Sequence, residues 1–377
     1  MADIFDYLHW RGDISFKTSQ FNPVDNIIFS LIAYLPMDNI VPPVHAGAVP
    51  LPVVMKHIIE LEKKKPQVRR GYIFGDDESK IVAGLSVAER YRNVMLHSYT
   101  NKTDADKRMQ FSAVTLNSKE CPDYVAFRGT DLTIVGWQED FNMIFDHAIP
   151  AQIEAVNYLQ NNVSNIKGSF NIGGHSKGGN LSVYASAFCK GFSKRRILNI
   201  YNNDGPGFSK EIIRKNEYKE IQDSIRTFIP EDSIVGLLFE HQQKYSVVHS
   251  KGSGFYQHNP FLWQVKRDNM EIVPAVTKNS NFLNKNLMEW LDGMDQETRG
   301  QFIDALFGVL NKTNVKSIPD FTDNWFENST VLLKSMHTLD KKTKDMLVKT
   351  FSSLVNVVVN NVSRTIKRKV RRSLAHE

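Results

Sequence analysis

The residues that could do chemistry sit in one short stretch, Asn171-Ile172-Gly173-Gly174-His175-Ser176-Lys177-Gly178-Gly179-Asn180. It holds Gly-x-Ser-x-Gly at Gly174, Ser176 and Gly178, between a run that reads as a strand and one that reads as a helix. That is the context in which this pattern makes a nucleophile. A chain passing sharply from strand into helix lifts the serine hydroxyl clear of the sheet, and side chains two before and two after it would collide with backbone. The amide of Lys177 would then face the oxygen of a bound acyl group. A phosphate-binding glycine loop is the competing reading. It lacks the required Gly-Lys-Ser/Thr ending, and a dinucleotide fingerprint would need Gly-x-Gly-x-x-Gly.

A serine hydroxyl needs a base to take its proton and an acid to orient that base, and in this architecture the chain order is Ser, acid, His. The acid candidates after Ser176 are Asp204, Asp223 and Asp232. Asp232 is favoured because it follows the second strand after the serine. Asp204, in Asn203-Asp204-Gly205-Pro206-Gly207, is the alternative, and it could instead tie down that turn. Among the bases, His258 lies in a loop, Gln257-His258-Asn259-Pro260, from which it can reach back over a sheet. His249, at a strand end, is the runner-up, and His241 reads as part of a polar helix end.

These groups need a scaffold, and the alternation of patterns supplies one. An apolar run from 24 to 35 opens with Asn22-Pro23, a capping residue and a first-turn proline, and stops at Pro36. It reads as a core helix, with a lid as the other use of such a stripe. A second helix is expected over 53–64, and a third is expected to start at the Ser86-x-x-Glu89 capping pattern and run to about 97. Runs 110–116 and 124–127 read as paired strands. Strands at 170–173, 197–202, 225–229 and 245–248 then alternate with helices at 151–163, 177–188 and 210–214. This implies an α/β fold, a mostly parallel sheet flanked by helices. Segments 283–291, 297–310 and 346–362 carry helical spacing, so the chain divides into an α/β domain over 1–270 and a helical C-terminal region over 271–377.

Composition narrows the functional classes. Over 377 residues, 41% hydrophobic and 23% charged content is ordinary for a globular protein. The most apolar stretch, 27–35, is about half the roughly 18 residues needed to span a bilayer. The opening Met1-Ala2-Asp3-Ile4-Phe5-Asp6 has neither the charge nor the apolar run of a secretory leader, so a cytoplasmic location is expected. Cys121 and Cys189, the two cysteines, read as core thiols with no metal-ligand spacing. No cofactor, metal or nucleic acid is implied. The net charge of +6 gathers in part at Lys367, Arg368, Lys369, Arg371 and Arg372, which could touch a membrane surface or simply be a solvated end.

Two further blocks carry a resemblance. Tyr124-Val125-Ala126-Phe127-Arg128-Gly129-Thr130-Asp131 and Gly136-Trp137-Gln138-Glu139-Asp140 resemble the Phe-Arg-Gly-Thr and Trp-x-x-Asp blocks of class 3 (fungal-type) lipases. More closely, the chain resembles an uncharacterised bacterial family of α/β-hydrolase-like proteins. That family shares a beginning similar to Asp6-Tyr7-Leu8-His9-Trp10-Arg11-Gly12-Asp13, the block from Asn203 to Phe208, and the block from Gln257 to Trp263. The resemblance implies an α/β-hydrolase fold, a triad of Ser176, Asp232 and His258, and an oxyanion hole from the amides of Thr130 and Lys177. Trp137 and Asp140 would hold the oxyanion loop, and Arg128 would anchor a loop through a carboxylate. Lys177 departs from the small aliphatic residue usual after the lipase serine. It would either favour an anionic substrate or lie along its helix. The expected activity is hydrolysis of an ester, lipid-like or small. A thioesterase, an amidase or a non-catalytic binding scaffold are the alternatives.

Overall fold

The computed structural model describes residues 2–66, 73–131, 148–166, 168–239 and 244–278, with single positions at 136, 139, 143, 280, 281, 284, 341 and 345. The expected C-terminal helices, the basic cluster at 367–372, Trp137, Asp140 and His241 lie outside the described residues. The chain divides into two compact units, Met1–Gly293 and Met294–Glu377, and the candidate site lies in the first. No helix among the described residues is long and apolar enough to cross a membrane.

The first unit is built on a mixed nine-stranded sheet. Its strands are β1 (Ala48–Pro50), β2 (Met95–Asp104), β3 (Met109–Asn117), β4 (Asp123–Phe127), β5 (Phe170–His175), β6 (Ile197–Asn203), β7 (Ile225–Pro230) and β8 (Tyr245–Val248), with β9 (Val265–Lys266) and β10 (Asn269–Met270) forming a separate two-stranded ribbon and β11 (Ile272–Val273) the far edge. The order β1-β2-β3-β4-β5-β6-β7-β8-β11 keeps neighbours in sequence adjacent in space. Pairing is antiparallel from β1 to β4, parallel from β4 to β8, and antiparallel again at β11. The unit therefore extends past the expected boundary at 270. β11 joins the sheet, Thr277 Oγ1 bonds the Asp232 carboxylate, and the Thr277 amide donates to Glu231 O at 2.7 Å.

Strand residues alternate between two cores, as a sheet buried on both faces requires. Val114, Leu116, Tyr124 and Ala126 pack in one apolar cluster, whereas Phe111, Ala113, Val125 and Phe127 pack in the other. The helices α1 (Ile4–Arg11), α2 (Pro23–Ile32), α3 (Leu51–Lys64) and α4 (Asp76–Leu85) contribute to the first core. Those at α5 (Pro150–Asn162) and α6 (Lys177–Phe188) contribute to the second.

The helix α2 settles the choice between core and lid. Asn22 caps it through Val24 N and Asp25 N, Pro23 occupies its first turn, and every residue from Val24 to Ile32 is buried. A helix buried all round belongs in a core rather than on a lid. Its buried Asp25 pairs with Arg90, Nη2 to Oδ2 at 2.6 Å and Nε to Oδ1 at 2.8 Å, while Tyr91 Oη donates to the same carboxylate at 2.7 Å. The expected third helix, over 86–97, is not formed. Ser86 ends α4, its hydroxyl bonding Ala83 O, and Glu89–Tyr91 is one short 3-10 turn. Arg90 is thereby turned inward to Asp25, and the segment beyond it enters β2. Local capping chemistry lost to this long-range pairing.

Candidate functional site

Strand β5 ends at His175, and Ser176 forms the turn into α6 with φ 59° and ψ −134°. A non-glycine residue in that region is strained and persists only where its surroundings over-determine it. The surroundings are close backbone: a Cβ on Gly178 would stand 2.2 Å from Phe127 O, and one on Gly174 would stand 2.4 Å from the Gly178 carbonyl carbon. The Ser176 amide donates to Asn203 O at 2.9 Å, and its side chain does not cap the helix. A half-buried hydroxyl is thus presented at a helix N-terminus, beside amides that no earlier turn can satisfy.

His258 lies at the end of the 3-10 segment Gly254–His258, beyond β8. Its Nδ1 stands 2.7 Å from Oδ2 of Asp204. A carboxylate accepts, so Nδ1 carries the proton and the basic lone pair of the neutral ring is on Nε2. Asp204 is fully buried, and its other oxygen accepts from Ser233 Oγ at 2.5 Å and Gly236 N at 3.1 Å. Both carboxylate oxygens are therefore fixed. The residue itself sits at φ 52°, a left-handed conformation that Asp tolerates.

The carboxylate on His258 is thus Asp204 and not the expected Asp232. Asp232 does follow β7, but its carboxylate takes Gly254 N at 3.1 Å and Thr277 Oγ1, and its amide donates to Gln257 Oε1 at 2.7 Å. Gln257 in turn bonds Ser250 O and Gly252 O, and its carbonyl takes Trp263 Nε1 at 2.8 Å. Asp232 shapes the loop that carries His258, and Asp204 holds the ring. The other rival base is engaged elsewhere, His249 Nδ1 lying 2.6 Å from Glu231 Oε1.

Gly129 and Thr130 follow β4 next to the turn. A Cβ on Gly129 would come within 3.0 Å of Ser176 Cβ and 2.6 Å of His175 O, so the half-buried Thr130 is one residue from contact with the serine. Arg128 behind it bonds Asn101 Oδ1 at 3.1 Å and Asp131 Oδ2 at 3.4 Å, which is the loop-anchoring use expected of it. The Lys177 ammonium does not face the site. It is buried, paired with Glu139 Oε2 at 2.8 Å, and donates to Gln110 O at 2.9 Å. Glu139 also accepts from Gln110 N and Ala151 N, each at 3.0 Å. Of the two expected uses of Lys177, selection of an anionic substrate therefore fails, since the charge is neutralised internally.

Several residues that the sequence reading passed over complete the site. Asn203 Nδ2 donates to Gly174 O at 3.0 Å and Ser30 Oγ at 3.1 Å, and Asn26 Nδ2 donates to Asn203 Oδ1 at 2.8 Å, tying α2 to the ends of β5 and β6. Tyr34 Oη lies 3.0 Å from His175 Nδ1. The signal in the sequence was a pair of polar residues, Asn202-Asn203, closing an apolar strand. Among the described residues no group of three or more His, Cys, Asp or Glu could hold a metal ion.

Comparison with known proteins adds a family. The family model described as Mbeg1-like matches residues 85–308, more than half of the chain. The chain belongs to the Mbeg1-like family. The matched range covers the Mbeg1-like chain's Ser176, Asp204 and His258 and both loops around them. No curated protein and no solved structure matches the chain.

Proposed function

We propose that this member of the Mbeg1-like family is a serine hydrolase of the α/β-hydrolase class that cleaves an ester through an acyl-enzyme. The observation that carries the reading is the buried Asp204 carboxylate on His258 Nδ1, with the His258 carbonyl held at 2.8 Å by His175, the residue before the strained Ser176 turn. With Nδ1 protonated, Nε2 is the atom that takes the Ser176 proton as Oγ attacks the carbonyl carbon. The imidazolium so formed is stabilised by Asp204 and returns its proton to the leaving alkoxide. The amides of Lys177 and Thr130 receive the developing oxyanion, and a water activated by His258 then releases the acid. The internal pairing of Lys177 removes its charge as a determinant of the ester bound. The test is hydrolysis of p-nitrophenyl esters by wild type and by Ser176→Ala, with folding followed by circular dichroism. Loss of turnover in a folded variant supports the proposal, and turnover equal to wild type refutes it.

A further inference from the structure

His258 is gripped at a second point. His175 Nε2 lies 2.8 Å from the His258 carbonyl oxygen, and the two rings stand 4.5 Å apart at 40°. We propose that His175 is a positioning residue for the candidate base: it holds the backbone of His258 while Asp204 holds its ring. The inference rests on the serine-hydrolase reading only for the use to which that fixation is put.

A carbonyl can only accept, so His175 Nε2 must carry a hydrogen. Its other nitrogen faces the Tyr34 hydroxyl at 3.0 Å, which also reaches His175 O at 3.2 Å. Burial, followed by the nearby His258, holds the His175 imidazole well below its ordinary range, against the opposing pull of the bond to His258 O. The ring is therefore neutral, with Nδ1 an acceptor that shares the single Tyr34 hydroxyl hydrogen with His175 O. Its surroundings are aromatic: Tyr34, Phe74 and Trp263 stand with ring centroids 5.9, 5.8 and 6.4 Å away. Among the described residues, the titratable groups that contact it are Tyr34 and His258. This neutrality matters to the mechanism, because a second cation 4.5 Å from His258 would oppose formation of the imidazolium.

The grip also reaches the oxyanion loop. The Tyr34 hydroxyl is where a Cβ on Gly129 would fall, at 2.1 Å, so the contact chain runs from the Gly129-Thr130 loop through Tyr34 and His175 to His258. Tyr34 stands just past α2, whose start is fixed by Asp25 and Arg90. A rigid element thus sets base and oxyanion loop relative to each other, the kind of alignment whose loss by about 1 Å can cost roughly 100-fold in rate.

Two measurements decide the matter. In protein labelled with ¹⁵N-histidine, His175 should give the neutral Nε2–H pattern unchanged from pH 5.5 to 8.5. A proton on Nδ1, or titration within that range, overturns the proposal, and this holds whether or not the protein hydrolyses esters. In kinetics on p-nitrophenyl acetate, His175→Phe keeps a ring but loses the donor, and should lower kcat by roughly 10- to 100-fold with KM within about threefold. His175→Gln, whose amide can reach the same carbonyl, should recover to within about fivefold of wild type. Wild-type kcat in His175→Phe, or no recovery in His175→Gln, overturns it. Absence of turnover in the wild type would instead count against the hydrolase reading and leave the resonance test standing.

Discussion

Replacing Asp204 by Asn separates the two acids most sharply. Asn tolerates the left-handed backbone at φ 52°, so the change touches the side chain alone. Asn has one accepting oxygen where Asp204 uses two. If that oxygen faces Ser233 Oγ and Gly236 N, the amide NH₂ is turned to His258 Nδ1 and can only donate. The ring must then carry its proton on Nε2, where it cannot take one from Ser176. The trypsin-type precedent for this tautomer error is a loss of about 10⁴-fold in kcat, or about 5.4 kcal/mol of transition-state stabilisation. Loss of charge-assisted bonds to a buried carboxylate should cost about 1–3 kcal/mol of stability as well. Asp232→Asn still has an oxygen for Gly254 N and no bond to His258 to lose, so its kcat should fall by less than about tenfold. The assay is steady-state hydrolysis of p-nitrophenyl acetate over pH 6–9, beside thermal unfolding of both variants. A loss of 100-fold or more in Asp232→Asn, with Asp204→Asn near wild type, would refute the assignment.

Three further outcomes follow from buried charges and thiols. Lys177→Met leaves Glu139 buried without its cation and should cost on the order of 3–5 kcal/mol in denaturant unfolding, while the double variant with Glu139→Gln should recover at least half; additive losses would contradict the pairing. Burial pushes the Glu78 carboxyl up to about 8, against the amides of Phe74 and Ile73, so the folded state holds a proton that the unfolded chain releases above about pH 4.5. Wild-type stability should therefore fall as pH rises from 4.5 to 8, and Glu78→Gln should gain in Tm over wild type across that window; a pH-independent difference speaks against it. Burial raises the Cys121 thiol to about 12 and the Cys189 thiol to about 11, so both should react with a disulfide reagent at pH 8 at least about 100-fold more slowly in the native than in the unfolded protein.

Much of this site was legible in the sequence because its logic is local. The glycines at 174 and 178, a strand before and a helix after, are sufficient to put Ser176 on a sharp turn, and the structure has that turn. His258 was legible as a loop histidine beyond the last long strand. The carboxylate that bonds it was not, because counting strands says where a loop begins and not where a carboxylate points. Asp204 reads as a turn former, but the side chain that bonds Gly205 is Asn202, and the left-handed Asp204 carries its carboxylate to His258 instead. Lys177 beside the serine suggested a charge in the site, but its partner Glu139 is 38 residues away in sequence and cannot be inferred from spacing. The third helix failed for the same reason, since Arg90 answers to Asp25, 65 residues earlier.

The central claim is that Ser176 is a nucleophile activated by His258 and Asp204. Covalent labelling with a fluorophosphonate, read by intact mass and by peptide mapping, tests it without any guess at the substrate. The account predicts one adduct per chain, mapped to Ser176, absent in Ser176→Ala and formed at least about 100-fold more slowly in His258→Ala and Asp204→Asn. An adduct elsewhere, or labelling of the folded wild type no faster than of Ser176→Ala, would contradict it.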